Sequence, residues 1–458
     1  MKSILFHCHL AGVLAASALL AQSAAAQRQP AHYTVTDLGL VGPSAGPLVI
    51  TNNGLIAEAV PGSSGWDAAI SFQGRTQIDL GGFGGPVSSA YGVNERGQAA
   101  GGAQTVDIDL ADFCGTGPDS SGNLHVCQAF VWQNGVMSPL PPLKDASGVV
   151  GKNSVAKGIN ILGEAGGVAE YGVTADSLPP PPGSMTPAKC PSSTYQFKPV
   201  IWTNGAIQQL PTSGNDSNGK PFNDPDGVVF RINDRGQAVG ATGNCAAFTF
   251  SNLHGLHATL WQNGSVIDLG NLGGIAAPPP STGLATMGNM AYYVNRSGHV
   301  VGTSGTSDGS FRAFFWSPET LIQDAGTVQD DPDSVGLAIN DLGDIGGVSF
   351  PANSLLENPT AAPRAFIRPD GGKPVDLNSL VTGNTDLYLF TVCSINASEE
   401  VIGLALDAQG NFHGYLATPA GGDGDFFEAS LAEAKSARFG FAWSLASQRM
   451  GPALRGHR

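Results

Sequence analysis

The sequence predicts an all-β fold of seven four-stranded units, and three families of recurring segments predict it. The first reads INDRGQAVG at residues 232–240 and returns at 51–59, 93–101, 159–167, 294–302, 339–347 and 395–403. The second is an apolar aromatic run such as AFVWQNG at 129–135, with counterparts at 68–74, 199–205, 258–264, 313–319, 365–371 and 413–419. The third is a short segment typified by SVIDLG at 265–270; six copies follow the aromatic runs and a seventh, YTVTDLG at 33–39, stands alone.

Each segment has a local reading. In the first, a β-branched residue closes one strand, Asn caps a tight turn, and Gly supplies a positive φ before a second short apolar strand. That is a β-hairpin, and these Asn and Gly residues read as structural. In the last copy Glu399 takes the place of the turn Gly, while the flanking apolar alternation persists. The aromatic run is a third strand entering an Asn-Gly type turn, and the short segment after it is a fourth.

The displaced copy sets the topology. The last repeat ends with its third strand at residues 414–418, so the segment at 33–39 is available to complete it. Pairing the first strand into the last unit removes an open edge and ties the chain ends together. The expectation is a seven-bladed β-propeller closed by an N-terminal strand completing the last blade. Thr51 to Asn396 spans six intervals averaging about 57 residues, longer than the roughly 40–50 of compact blades because of insertions. The long segments, at 104–127, 140–153, 173–195, 211–227, 241–256, 270–290 and 350–364, all fall between second and third strands or between units. One face is therefore expected to be bare and the other crowned with loops, the crown and the channel mouth beneath it forming the binding surface.

The ordered combination INxxGxxxG, AFxWxxG and DLGxLGG, clearest in QIDLGGFGG at 77–85 and VIDLGNLGG at 266–274, resembles the HAF family of extracellular bacterial repeats. The resemblance covers nearly all of the chain after its first residues. It implies repeats and export but no activity. The chain departs from the pattern in its insertions and in Arg368, which stands where other units carry Trp.

Residues 1–26 read as a secretory signal peptide: Lys2, a short apolar run at 11–20, and Ala24, Ala25 and Ala26 before Gln27. The repeats occupy 27–424, and the tail at 425–458, rich in Ala, Leu, Glu and Lys, is expected to form a peripheral helix or a frayed end. No later segment has the roughly 20 apolar residues of a membrane span, so the expected location is secreted or periplasmic. The formal net charge of -15 opposes binding to nucleic acid or to an anionic lipid surface. Of six cysteines, Cys8 leaves with the signal peptide. Cys114 and Cys127 bracket one loop and are the first candidate disulfide, Cys190 and Cys245 the second, and Cys393 reads as a buried free thiol.

Candidate chemistry is sparse. Asp107, Asp109, Asp112 and Asp119 form an acidic loop that is the candidate calcium site, although the Gly and terminal Glu of a calcium-binding loop are missing. The competing reading is a solvated loop; no other cofactor is indicated. Lys157 and Arg231 lie three and two residues before a repeat Asn, on strands expected to line the channel. They are candidate anchors for an anionic substrate or sugar acid at the crowned mouth, with Tyr292 or Tyr293 as a stacking platform. The alternative is an internal ion pair with a loop carboxylate. His residues are scattered, no serine lies in a GxSxG elbow, and Asp224, Asp226, Asp331 and Asp333 read as turn chemistry. Two functions are consistent with this: a binding module for a glycan, peptide or cell-surface partner, or a polysaccharide hydrolase or lyase using loop carboxylates.

Overall fold

The computed structural model describes residues 28–41, 48–62, 65–109, 113–114, 117–174, 195–244, 254–274, 288–352, 354 and 361–420. The signal peptide, the C-terminal tail, Asp112, Cys190 and Cys245 lie outside the described residues. Within them the fold is all-β; a 3-10 turn at Leu377–Leu380 is the helical element. No helix among the described residues is long and apolar enough to cross a membrane.

The strands pair as antiparallel quartets. Ser154–Ile159 opens one sheet that continues through Ala165–Thr174, Tyr195–Thr203 and Ala206–Gln209. Asp226–Ile232, Met290–Val294 and Asp333–Ile339 open three more in the same way. Val49–Ile50 and Gly84–Val93 head two quartets that a single parallel contact, Trp66 with Val87, merges into one eight-stranded sheet. The remaining quartet is Tyr388–Ile395, Val401–Leu406 and Phe412–Pro419 with Tyr33–Leu40 added at its edge. That added strand runs antiparallel to Phe412–Pro419 from Tyr33 opposite Pro419 to Leu40 opposite His413. Thr382 donates from its backbone N to the carbonyl of Tyr33 at 2.7 Å.

The opening strands neighbour one another in chain order, and the last, Tyr388–Ile395, neighbours the first, Val49–Ile50. Apolar side chains fill the space between consecutive sheets: Leu260, Leu269, Val294 and Phe314 at one junction, Leu48, Ile56, Ile402 and Leu416 where the last meets the first. Burying each such side chain contributes about 2 kcal/mol. Polar links add to this. Ser88, Ser154 and Ser334 each use Oγ to accept the backbone N–H of Ala68, Ala129 or Ala313, the head of the aromatic run in the preceding quartet.

A regular irregularity explains the last Gly of the hairpin motif. Six opening strands carry a register break that leaves Tyr91, Lys157, Phe230, Tyr292, Leu337 and Cys393 as extra residues, three before the turn position. A bulge bends its strand and increases the local twist, and beside it the facing strand has no room for a side chain. A Cβ on Gly240 would stand 1.8 Å from the Val228 carbonyl oxygen, and one on Gly347 1.9 Å from that of Val335. The motif ends in Gly because no side-chain atom fits there.

A two-stranded hairpin, Ser213–Asn215 with Pro221–Asn223, occupies part of the insertion at 211–227. The four Asp residues read as turn chemistry also use their side chains as anchors. Asp226 and Asp333 accept backbone N–H groups of Phe197 and Phe311, Asp224 holds His257, and Asp331 pairs with the buried Arg364 at 3.1 Å.

Candidate binding site

The turn between the first two strands of each quartet is organised by one side chain. Asn233 accepts the backbone N–H groups of Arg235 and Gln237 through Oδ1, each at 3.0 Å, and donates through Nδ2 to Gln237 Oε1 at 2.7 Å. The same Nδ2 also donates to the main-chain carbonyl of Asn295, the matching residue of the next quartet, at 2.8 Å. The relay repeats from Asn94 to Asn160, Asn160 to Asn233, Asn295 to Asn340, Asn340 to Asn396 and Asn396 to Thr51. Thr51, not Asn52, occupies the Asn position of the first hairpin, since it is Thr51 whose backbone N bonds four residues ahead to Leu55. Asn53 then reaches forward to the carbonyl of Glu95 at 3.0 Å. Gly236 turns at φ +73°, and Glu399 takes the same left-handed conformation at φ +60°.

Inside this circle of amides lies a cavity of ≈ 140 Å³, open at the short-turn end rather than beneath the long insertions. Its wall is the residue before each turn position: Ile50, Val93, Ile159, Ile232, Val294, Ile339 and Ile395. β-branched residues there are stiff and pack well on a sheet surface, so the wall is apolar and rigid.

Arg231 forms the floor. Its Nη1 donates to the carbonyl oxygens of Tyr91 at 3.0 Å and Phe230 at 3.3 Å, and closely to that of Lys157. Room for this reach comes from Gly92 and Gly158 at the corresponding positions of the two preceding strands; a Cβ on Gly158 would touch Arg231 at 3.4 Å. The guanidinium carbon lies 5.4 Å from the ring centroid of Tyr293. Its Nε is buried and has no hydrogen-bond partner among the described residues. Arg231 makes no ion pair with an acidic side chain among the described residues. The loop carboxylate offered as its alternative partner is replaced by main-chain carbonyls.

Lys157 sits beside it, with Nζ 4.1 Å over the ring of Tyr91. Burial, and then the neighbouring guanidinium, pull its ammonium down to about 7. Of the two tyrosines, Tyr293 lines the cavity, whereas Tyr292 packs on Phe230 at 5.1 Å and donates its hydroxyl towards Met290 sulfur at 3.6 Å; burial raises its phenol. Arg231 and Tyr293 therefore line the cavity, whereas Lys157 and Tyr292, the extra residues of their strands, do not.

The rim is the residue after each turn position. Arg296 spans it, with Nε 3.0 Å from Asp234 and 3.7 Å from Asp341, and Nη2 3.2 Å from Glu95. Asp234 and Asp341 each spend their other oxygen on a neighbouring turn, accepting the backbone N–H of Ile161 and Arg296 at 2.9 Å. None of these four was singled out from sequence. The signal available was a column reading Asn52, Glu95, Ile161, Asp234, Arg296, Asp341 and Ala397, charged in four copies beside a uniformly aliphatic one.

At the loop end, Cys114 and Cys127 form the expected disulfide, and Cys393 is a buried free thiol. Asp119 accepts the backbone N–H groups of Asn123 and Ser121 and lies 3.1 Å from His125; the hydrogen bonds from Asn123 and His125 hold its carboxyl at about 2. Asp109 accepts from Asn153, while Asp107 is bonded through its backbone N to Thr105. Among the described residues no group of three or more acidic, His or Cys side chains is placed to hold a metal. His257 and Asp224 form a dyad at 2.8 Å under the ring of Phe222.

No family model matches the chain, and no curated protein matches it. Among solved structures it is similar to streptogramin B lyase at 10% identity, covering 84% of this chain and 97% of that one with a TM-score of 0.40. It is also similar to Porphyromonas gingivalis dipeptidyl peptidase 4 at 9% identity and TM-score 0.36, covering 81% of this chain and 59% of that one. TolB from Acinetobacter baumannii is similar at 9% identity and TM-score 0.31, with 81% and 65% covered. At such values the likeness is loose and carries nothing about ligands or reactions.

Proposed function

We propose that this chain is an exported, seven-bladed β-propeller of HAF-like repeats, closed by Tyr33–Leu40, that serves as a binding module. Its partner is a glycan, a peptide or a cell-surface component that presents an anionic group. The pairing of Tyr33–Leu40 with Phe412–Pro419 and the amide relay from Asn94 round to Thr51 support the closed wheel. The Cys114–Cys127 disulfide fits an oxidising, secreted or periplasmic setting.

One observation carries the binding role. Arg231 lines the cavity, is held only by the main-chain carbonyls of Tyr91, Lys157 and Phe230, and has no ion-pair partner among the described residues. A guanidinium stays charged, and a buried charge is costly unless it is paired. A carboxylate from a bound partner completes it, with the long connections at the opposite end offering further contact surface.

The test is a panel of uronic-acid oligosaccharides, acidic peptides and their neutral counterparts, titrated by calorimetry against the protein and Arg231→Gln. Anion-bearing probes are expected to bind and to lose about 10–100-fold on substitution, the value of one or two charge-assisted hydrogen bonds. Equal binding of neutral probes, or no loss in the variant, overturns the reading.

A further inference from the structure

The cavity carries opposite charge at its two ends. Its floor is the Arg231 guanidinium, its wall the aliphatic belt, and its rim the three carboxylates of Glu95, Asp234 and Asp341. Those carboxylates are already engaged by a cation at the cavity's solvent edge, the half-exposed Arg296 side chain. We infer that the site takes a short zwitterion entering from the short-turn end, an ω-amino acid or the side chain and carboxylate of a basic amino acid. Its carboxylate meets Arg231, its aliphatic body lies along the belt, and its ammonium takes the place of the Arg296 guanidinium among the rim carboxylates. The inference rests on Arg231 being the anion anchor of the binding module.

Dimensions agree. Floor and rim residues are three positions apart, a span of at most about 10 Å, which accommodates an extended chain of about six carbons with a charged group at each end. At the roughly 10–15 Å³ needed by one water, ≈ 140 Å³ holds about ten water-sized groups. Charge selects as well as size. A simple fatty acid would place an apolar end among Glu95, Asp234 and Asp341, and an alkylamine would leave Arg231 facing methyl groups. Only a ligand charged at both ends satisfies both, since buried polar groups left without partners penalise the wrong ligand. Arg296 then acts as a built-in competitor for the rim.

The experiment titrates the protein with 6-aminohexanoate, hexanoate and hexylamine, and repeats each with Arg296→Ala, a change at the surface that leaves the wall intact. The expected result is that 6-aminohexanoate binds at least tenfold more tightly than either single-charge analogue, and that Arg296→Ala tightens it several-fold without helping hexanoate. Hexanoate binding as tightly as 6-aminohexanoate in both proteins overturns the zwitterion inference but leaves Arg231 as an anion anchor. Tighter binding of hexylamine than of 6-aminohexanoate also overturns it. Absence of binding by all three ligands to both proteins overturns the inference, while the panel of acidic glycans and peptides decides the underlying reading separately.

Discussion

Asn396 donates its Nδ2 to the main-chain carbonyl of Thr51 at 3.1 Å across 345 residues of sequence. The last hairpin thus bonds to the first as its predecessors bond to their successors. Each turn amide serves two levels of structure at once, capping its own hairpin through Oδ1 and fastening the next through Nδ2.

Substituting such an amide removes both. Asn233→Ala leaves the N–H groups of Arg235 and Gln237 and the carbonyl of Asn295 short of a partner. The expected cost is about 2–3 kcal/mol from one lost cap and one inter-hairpin bond. Arg235→Ala, on the same turn but with an exposed side chain, is expected to cost under about 0.5 kcal/mol. Urea unfolding of the two variants makes the comparison.

Tyr33 is 1% exposed and anchors the added strand within the last quartet's core. Tyr33→Ala is expected to lose about 3–4 kcal/mol, as for other large aromatic truncations. Limited proteolysis should then cut first in residues 28–41. Cleavage starting elsewhere would place the weak point outside this strand.

Lys157 introduces a pH slope. Its folded-state pKa of about 7 lies below the ordinary 10.5 because of burial and then Arg231. Between those values the unfolded chain binds a proton that the folded one lacks, so stability rises with pH across that window and the penalty is complete below it. Lys157→Met is expected to flatten the slope and to be more stable than the parent at pH 6 by on the order of a few kcal/mol. Chemical denaturation at pH 6 and pH 10 reads both.

His257 slopes the other way. Burial works against its charged form, but the hydrogen bond and charge of Asp224 outweigh it and raise the pKa above 6.5. Its contribution is fully present below the unfolded value and is lost as pH rises through the folded one. His257→Gln should therefore lose more stability at pH 5.5 than at pH 8.5.

The cysteines separate cleanly. Removing the Cys114–Cys127 link, which closes a 13-residue separation, is expected to cost about 3 kcal/mol on the chain-entropy model. Cys393 is buried and its thiol is pushed up to about 11 chiefly by burial. It should resist a maleimide at pH 8 in the native protein and react once unfolded, by mass spectrometry.

Repetition made the strands and their pairing partners legible, because each quartet repeats the same alternation and turn residues. It also marked Tyr33–Leu40 as a strand lacking its own unit. The register of the first hairpin was misread by one place: Asn52 looks like the motif Asn, but spacing to Gly54 makes Thr51 its equivalent. The extra residue at Lys157 or Tyr292 was invisible, since a bulge is a relation between two strands, although the terminal Gly of the motif is its trace. Arg296 and Glu95 meet across 201 residues, a contact between hairpins that no local pattern announces. The cavity is lined by residues of all seven short hairpins, whereas long insertions are what a sequence makes conspicuous.

Thr51 has one further consequence. It accepts the incoming bond from Asn396 on its carbonyl and donates its hydroxyl to Asn53 Oδ1 at 2.6 Å; Asn53 makes the next link and lands on Glu95 rather than Asn94. The circle therefore has a seam, and it falls in the first hairpin after the strand that completes the last sheet. That joint is bridged by two consecutive amides, Asn52 on the Glu95 carboxylate at 2.9 Å and Asn53 on its main-chain carbonyl at 3.0 Å.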